Sequence, residues 1–133
     1  MERTEEFKNV PVDLLANEAV KLMIEKKALD VKLFNVTEYT SITDFYINVT
    51  GRSSTHVASL ADDVAEYFEL RGREPYRVEG RRGNSWILVD FGSFIVNVFD
   101  SESRAFYNFD RLLPAELQVN IDDLVSEVDK KFS

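Results

Sequence analysis

Apolar residues recur at helical spacing early in the chain. Val12, Leu15, Ala16, Ala19, Leu22 and Met23 follow Pro11, whose missing N–H suits a helix start, so a helix is expected over 11–27. The period then changes. Val31 and Leu33 flank Lys32, and Phe45, Ile47 and Val49 alternate with Tyr46, Asn48 and Thr50, as in half-buried strands. These predict strands over 31–36 and 45–50, with a hydroxyl-rich loop over 37–43 between them. Helical spacing returns in Val57, Leu60, Ala61, Val64 and Phe68, behind Ser53 or Ser54 as the cap and ahead of Gly72 as the stop. Three further strands are expected, over 75–79, 86–91 and 94–99. The last two meet at Gly92-Ser93, which suits a tight type II′ hairpin. Residues 101–113 mix helical turn and loop. Leu117, Ile121, Leu124, Val125, Val128 and Phe132 predict a final amphipathic helix, with Asn120 as its cap.

The order helix, strand, strand, helix, three strands, helix implies an α/β (α+β mixed) domain. It is expected to hold one mixed five-stranded sheet covered by helices. The central helix is a crossover, so the strands on either side of it are expected to run parallel, and the last three strands to form an antiparallel meander. Residues 1–10 are polar and acidic and read as a loose arm, 11–113 as the domain, and 114–133 as a C-terminal helical extension.

Composition narrows the partners. The 133 residues carry a formal charge of −8, which repels bare nucleic acid at long range. The one basic cluster, Arg71, Arg73, Arg77, Arg81 and Arg82, reads either as a phosphate-facing patch or as a solvated turn diluted by Glu74 and Glu79. Cysteine is absent and His56 is the only histidine, so neither a disulfide framework nor a zinc site is expected. No signal-peptide core and no bilayer-spanning apolar run is present, and a cytoplasmic protein is expected.

The turn after the second strand, with Gly51, Ser53 and Ser54, lies between a strand and a helix, where backbone N–H groups and the helix dipole favour an anion. It matches neither common glycine-rich phosphate pattern, and an ordinary capped turn is the favoured reading. Nucleotidyl transfer on such a sheet needs carboxylates on adjacent strands to hold magnesium. No strand has acids at i and i+2, and Asp90 and Asp100 stand at strand ends. No catalytic residue, metal or cofactor is therefore assigned. The aromatic residues are richer. Trp86, Phe91, Phe94, Phe99, Phe106, Tyr107 and Phe109 lie close in sequence beside Arg104 and Arg111, and such side chains commonly anchor protein interfaces. Core packing is the competing reading for Trp86 and Tyr107.

With these residues in view, the chain resembles the Iojap-related family, the bacterial ribosomal silencing factors (RsfS). The resemblance rests on Ser41-Ile42-Thr43-Asp44, Thr50-Gly51-Arg52-Ser53-Ser54-Thr55-His56-Val57, Ala61-Asp62 and Val78-Glu79-Gly80. It continues through Trp86 to Gly92, Val96-Asn97-Val98-Phe99, Arg104, Tyr107 and Leu112, spanning about residues 11–113. It implies a nucleotidyltransferase-like topology without the catalytic acids. It further implies a factor that binds the large ribosomal subunit through that subunit's fourteenth protein, blocks joining of the small subunit and represses translation.

The contact residues implied are Trp86, Phe99, Arg104, Tyr107, Leu112 and Leu113. A minor contact with ribosomal RNA and a homodimer of the free protein are further partners to test. Two positions depart from the family pattern: Asn97 stands where histidine is usual, and Leu113 where tryptophan is usual. The rival readings are a nucleotidyltransferase-like nucleotide-binding protein and a ribosome assembly factor that contacts RNA.

Overall fold

The computed structural model describes residues 2–132. Helix α1 (Val12–Glu25) runs into strand β1 (Leu29–Asn35), and β2 (Phe45–Thr50) leads to helix α2 (Ser54–Glu69). Strands β3 (Arg77–Glu79), β4 (Trp86–Asp90) and β5 (Phe94–Phe99) follow. Helix α3 (Ser101–Tyr107), a 3-10 turn over Phe109–Leu112, strand β6 (Gln118–Val119) and helix α4 (Asp122–Phe132) complete the described residues.

The sheet order is β3-β4-β5-β2-β1-β6. Only β2 and β5 pair in parallel; the other neighbours are antiparallel. The expected meander of β3, β4 and β5 is present. Strands β2 and β3 run in the same direction, as the crossover requires, but β5 and β4 lie between them. The hairpin closes on Gly92-Ser93, with Gly92 at φ +86° and the Phe91 N–H bonded to the Phe94 carbonyl at 3.0 Å.

Three expectations are corrected. The sheet has six strands among the described residues, because β6 pairs with β1 through Leu33–Val119 and Phe34–Gln118. Leu117 therefore lies in a 3-10 turn ahead of β6, and the last helix starts only at Asp122, where Asn120 Oδ1 accepts from the Asp122 N–H at 2.8 Å. A strand of two residues has no resolvable period, so it was invisible in the pattern. The N-terminal arm is docked. Phe7 is buried, and Thr4 and Phe7 N–H groups bond to the carbonyls of Leu70 and Arg71 at 2.7 and 2.8 Å.

The two faces of the sheet differ in chemistry. Leu33, Phe45, Ile47, Val49, Ile87, Val89, Phe94, Val96 and Val98 point toward α1 and α2 and form an apolar core. This is the ordinary hydrophobic layer of sheet on helix. The opposite face carries Tyr46, Asn48 and Thr50 from β2, Asn97 and Phe99 from β5, and Trp86 from β4. Residues 101–117 fold over part of it, where Phe34, Val36 and Leu113 make a second, smaller cluster. Strand β5 is buried at every position because both its faces are covered.

Candidate functional site: an aromatic face braced by a buried polar chain

Trp86 opens β4 directly opposite Phe99 on β5, and their ring centroids are 4.9 Å apart. Tyr107, at the end of α3, sets its ring 5.0 Å from Trp86, and Phe109 approaches to 6.1 Å. Helix α3 is short but well bounded. Asp100 Oδ1 accepts from the Ser103 N–H at 2.7 Å, and Asn108 ends the helix at φ +51°, a conformation asparagine tolerates. That reversal presents Tyr107 beside Trp86 and turns the chain into Phe109–Leu112.

The six expected contact residues divide into two groups. Trp86 is half-buried, Tyr107 is 52% exposed and Leu112 is 68% exposed. Phe99 is fully buried, and Arg104 and Leu113 are buried as well. Phe99 thus forms the floor under Trp86, and Leu113 packs on Phe34 and Val36. Neither offers surface to a partner, because cross-strand pairing and the second cluster consume their area. Phe106, 78% exposed, joins the outward group. Tyr39, half-exposed on the 37–43 loop, reaches the same edge and donates to the Leu112 carbonyl at 3.4 Å.

Arg104 is an internal brace. Its Nε and Nη2 donate to Asp110 Oδ2 at 3.1 and 3.0 Å. Its Nη1 donates to the Asp30 carbonyl at 2.7 Å and to Thr50 Oγ1 at 3.0 Å. One guanidinium therefore ties α3 to the 3-10 turn, β1 and β2. Asp30 itself sits at φ +48° in the irregular start of β1. The other Asp110 oxygen accepts from Asn48 Nδ2 at 2.7 Å. Asn48 Oδ1 accepts from Asn97 Nδ2 at 3.0 Å, and Asn97 Oδ1 accepts from Trp86 Nε1 at 3.1 Å. No buried side-chain polar atom among the described residues lacks a partner. The sequence pattern singles out neither Asn48 nor Asp110, and Asn97 enters only through the family resemblance and its departure from it. The available signal was the repeat of Ile47-Asn48-Val49 in Val96-Asn97-Val98, an amide between two β-branched apolar residues on each of two strands.

Most of the remaining candidates are occupied by structure, while Ser54 and Arg82 are exposed. In the Gly51–Ser54 turn, Ser53 Oγ accepts from the His56 N–H at 3.1 Å and is the cap of α2. The Gly51 N–H bonds to the Phe99 carbonyl at 2.8 Å, and the Arg52 N–H bonds to His56 Nδ1 at 2.9 Å. An anion would find these donors already committed. Of the basic cluster, Arg71 lies 3.9 Å over the Tyr67 ring and Arg73 donates to the Phe7 and Lys8 carbonyls at 3.0 Å each. Arg77 bridges Asp90 and Glu79, and Arg81 pairs with Asp62. Four of the five arginines thus hold the fold's own groups.

Asp90 bonds to Arg77 and the Gly92 N–H, and Asp100 caps α3. Among the described residues, no three His, Cys, Asp or Glu gather as a metal site, and no helix is long and apolar enough to cross a membrane. A cleft of about 510 Å³ between α1, α2 and α4 is lined by paired charges, including Lys21–Glu18 at 2.7 Å and Lys131–Glu25 at 3.0 Å.

The fold and this face define a single-sheet mixed α/β domain whose polar groups are spent in holding an aromatic surface. A match to the family described as ribosomal silencing factor during starvation (RsfS) covers residues 9–133, and the chain belongs to that family. The match includes α4, which the sequence placed outside the family core. The ribosomal silencing factor of Halalkalibacterium halodurans is 31% identical over 108 residues, 81% of this chain and 92% of that protein. That of Haemophilus influenzae is 35% identical over 86 residues, 65% of this chain and 84% of that protein. A crystal structure of a Chromobacterium violaceum protein superposes with a TM-score of 0.75 at 25% identity, covering 77% of this chain and 86% of that one.

Proposed function

We propose that this protein docks on the large ribosomal subunit with the face built by Trp86, Tyr107 and Leu112, and so keeps the small subunit from joining. The seat is the fourteenth protein of the large subunit, on its subunit-joining side. Translation is repressed by occupancy, and no reaction is assigned.

The observation that carries this reading is the aromatic cluster itself. Trp86 rests on buried Phe99, Tyr107 packs against it, and Phe106, Tyr107 and Leu112 stand exposed. Rigid aromatic anchors beside apolar neighbours are the usual source of interface affinity. The net charge of −8 favours a basic ribosomal protein over naked RNA. The internal bonding of the arginine cluster points the same way.

The test is a subunit-joining assay with added protein, paired with co-sedimentation on purified large subunits. Trp86→Ala and Tyr107→Ala are each expected to cost about 2 kcal/mol of binding, roughly thirtyfold in affinity. Joining that proceeds unhindered at saturating protein overturns the reading.

A further inference from the structure

We infer that the chain Trp86–Asn97–Asn48–Asp110–Arg104, buried at its two asparagines and at Arg104, is a positioning device that fixes the Trp86 indole in register with the α3 and 3-10 segment. It rests on the docking role proposed above, for which Asn97, Asn48 and Asp110 become positioning residues that never touch the partner.

Chemistry at the two ends allows only one arrangement. An indole N–H can only donate, and a carboxylate can only accept. Asn97 must therefore turn its oxygen to Trp86 and its amide nitrogen to Asn48, which must turn its own nitrogen to Asp110. Flipping either amide sets donor against donor at one link and acceptor against acceptor at the next. The chain is also continuous in space. Asn48 and Asn97 are register partners on the parallel pair β2 and β5, and both are buried. Asp110 lies one residue from Phe109, whose ring meets both Trp86 and Tyr46. Arg104, three residues before Tyr107, holds the far oxygen of Asp110. The indole and the Tyr107–Leu112 surface thus share one bracket, and loosening any link frees one half of the docking face from the other. In a buried network, a partly satisfied chain is worse than a complete one.

Trp86 is the only tryptophan, so the protein has one indole N–H signal in a nitrogen–proton NMR spectrum. In the unaltered protein that proton is expected to exchange with solvent at least about tenfold more slowly than in free tryptophan. Asn97→Leu cuts the chain at the indole. Asp110→Asn keeps the side-chain size and removes the charge at the far end. In both variants, assayed under conditions where circular dichroism shows a folded protein, the indole signal is expected to move and its exchange to quicken about fivefold, with a similar loss of large-subunit affinity. Asn97→His is expected to restore both, because a neutral imidazole also offers one acceptor and one donor.

Free-tryptophan exchange in the unaltered protein, or an indole signal indifferent to both variants, overturns the chain as a positioning device. A shifted indole with undiminished affinity in Asp110→Asn overturns its part in docking while Trp86→Ala still binds weakly. If Trp86→Ala binds as well as the unaltered protein, the docking reading itself has failed, and the positioning role falls with it.

Discussion

Leu112 and Leu113 are chain neighbours that face opposite ways: Leu112 is 68% exposed on the aromatic face, and Leu113 is 9% exposed against Phe34 and Val36. The 3-10 turn ends between them and Leu113 is extended, so one side chain points out and the next in. Truncating them should separate binding from stability. Leu113→Ala is expected to lower the unfolding free energy by about 2–3 kcal/mol, from lost burial and the cavity left behind. Leu112→Ala should stay within about 0.5 kcal/mol of the unaltered protein. Urea unfolding measures the stability of both variants, and co-sedimentation of folded protein measures their binding. The proposed docking face requires that Leu112→Ala, and not Leu113→Ala, weakens binding.

His56 joins two helices. Its Nε2 lies 2.9 Å from the Lys26 carbonyl at the end of α1, and its Nδ1 lies 2.9 Å from the Arg52 N–H ahead of α2. A carbonyl accepts and an N–H donates, so in this arrangement Nε2 carries the donated proton and Nδ1 accepts. Imidazole nitrogen shifts near neutral pH should show that tautomer; the Nδ1–H form would contradict the geometry. His56→Ala removes both bonds and is expected to cost about 1–2 kcal/mol of stability.

Gly51 is explained by packing. A Cβ there would sit 2.6 Å from Val57 Cγ2 and 2.9 Å from the Val57 backbone nitrogen, which helix α2 holds in place. Gly51→Ala is therefore expected to destabilise by about 1–3 kcal/mol through overpacking. If the turn instead served a nucleotide, calorimetric titration of the unaltered protein with nucleoside triphosphates and magnesium would give saturable heat. None is expected, since the Gly51 and Arg52 N–H groups are already bonded.

Periodicity revealed most of the architecture because most elements are long enough to show a period and bury one face. Helices α1 and α2, the Gly92 hairpin and the Ser53 cap all lie where apolar spacing and turn chemistry put them. What escaped lacks such a signal. Strand β6 has two residues, and its pairing with β1 is a tertiary event. Phe7 looks like a lone aromatic in a polar tail, yet it packs on Tyr67 and Phe68, which are remote in sequence. At the site, residue type was legible and side-chain direction was not. Phe99 and Tyr107 look alike as aromatics in an interface-rich segment, but strand register buries one and a helix end exposes the other. Arg104 looked like a surface cation because its partners Asp30, Thr50 and Asp110 converge only in three dimensions.

The cleft between α1, α2 and α4 should make stability fall at alkaline pH. Burial, then the nearby Glu18 charge and the hydrogen bond to Glu18, push the Tyr67 hydroxyl up to about 12, although Arg71 above the ring opposes the shift. Lys21 is also raised, chiefly by its hydrogen bond to Glu18, against the cost of burial. Burial and the Asp90 charge raise Tyr46 in the same sense on the other face. In each case the folded protein holds its proton more tightly than the unfolded chain. The stabilisation is therefore complete below the unfolded-state values, 10.0 for the tyrosines and 10.5 for lysine, and is lost as pH climbs through the folded ones. Tyr67 remains partly open to solvent, so screening keeps its share of the loss below that of a fully buried phenol. Urea unfolding across an alkaline series should show the midpoint falling between pH 10 and about 12, with Tyr67→Phe making that fall shallower. Ultraviolet titration of the tyrosines should show a phenol ionising at about 12 that vanishes in the same variant. An unchanged slope in Tyr67→Phe would place the alkaline sensitivity in Lys21 and Tyr46 instead.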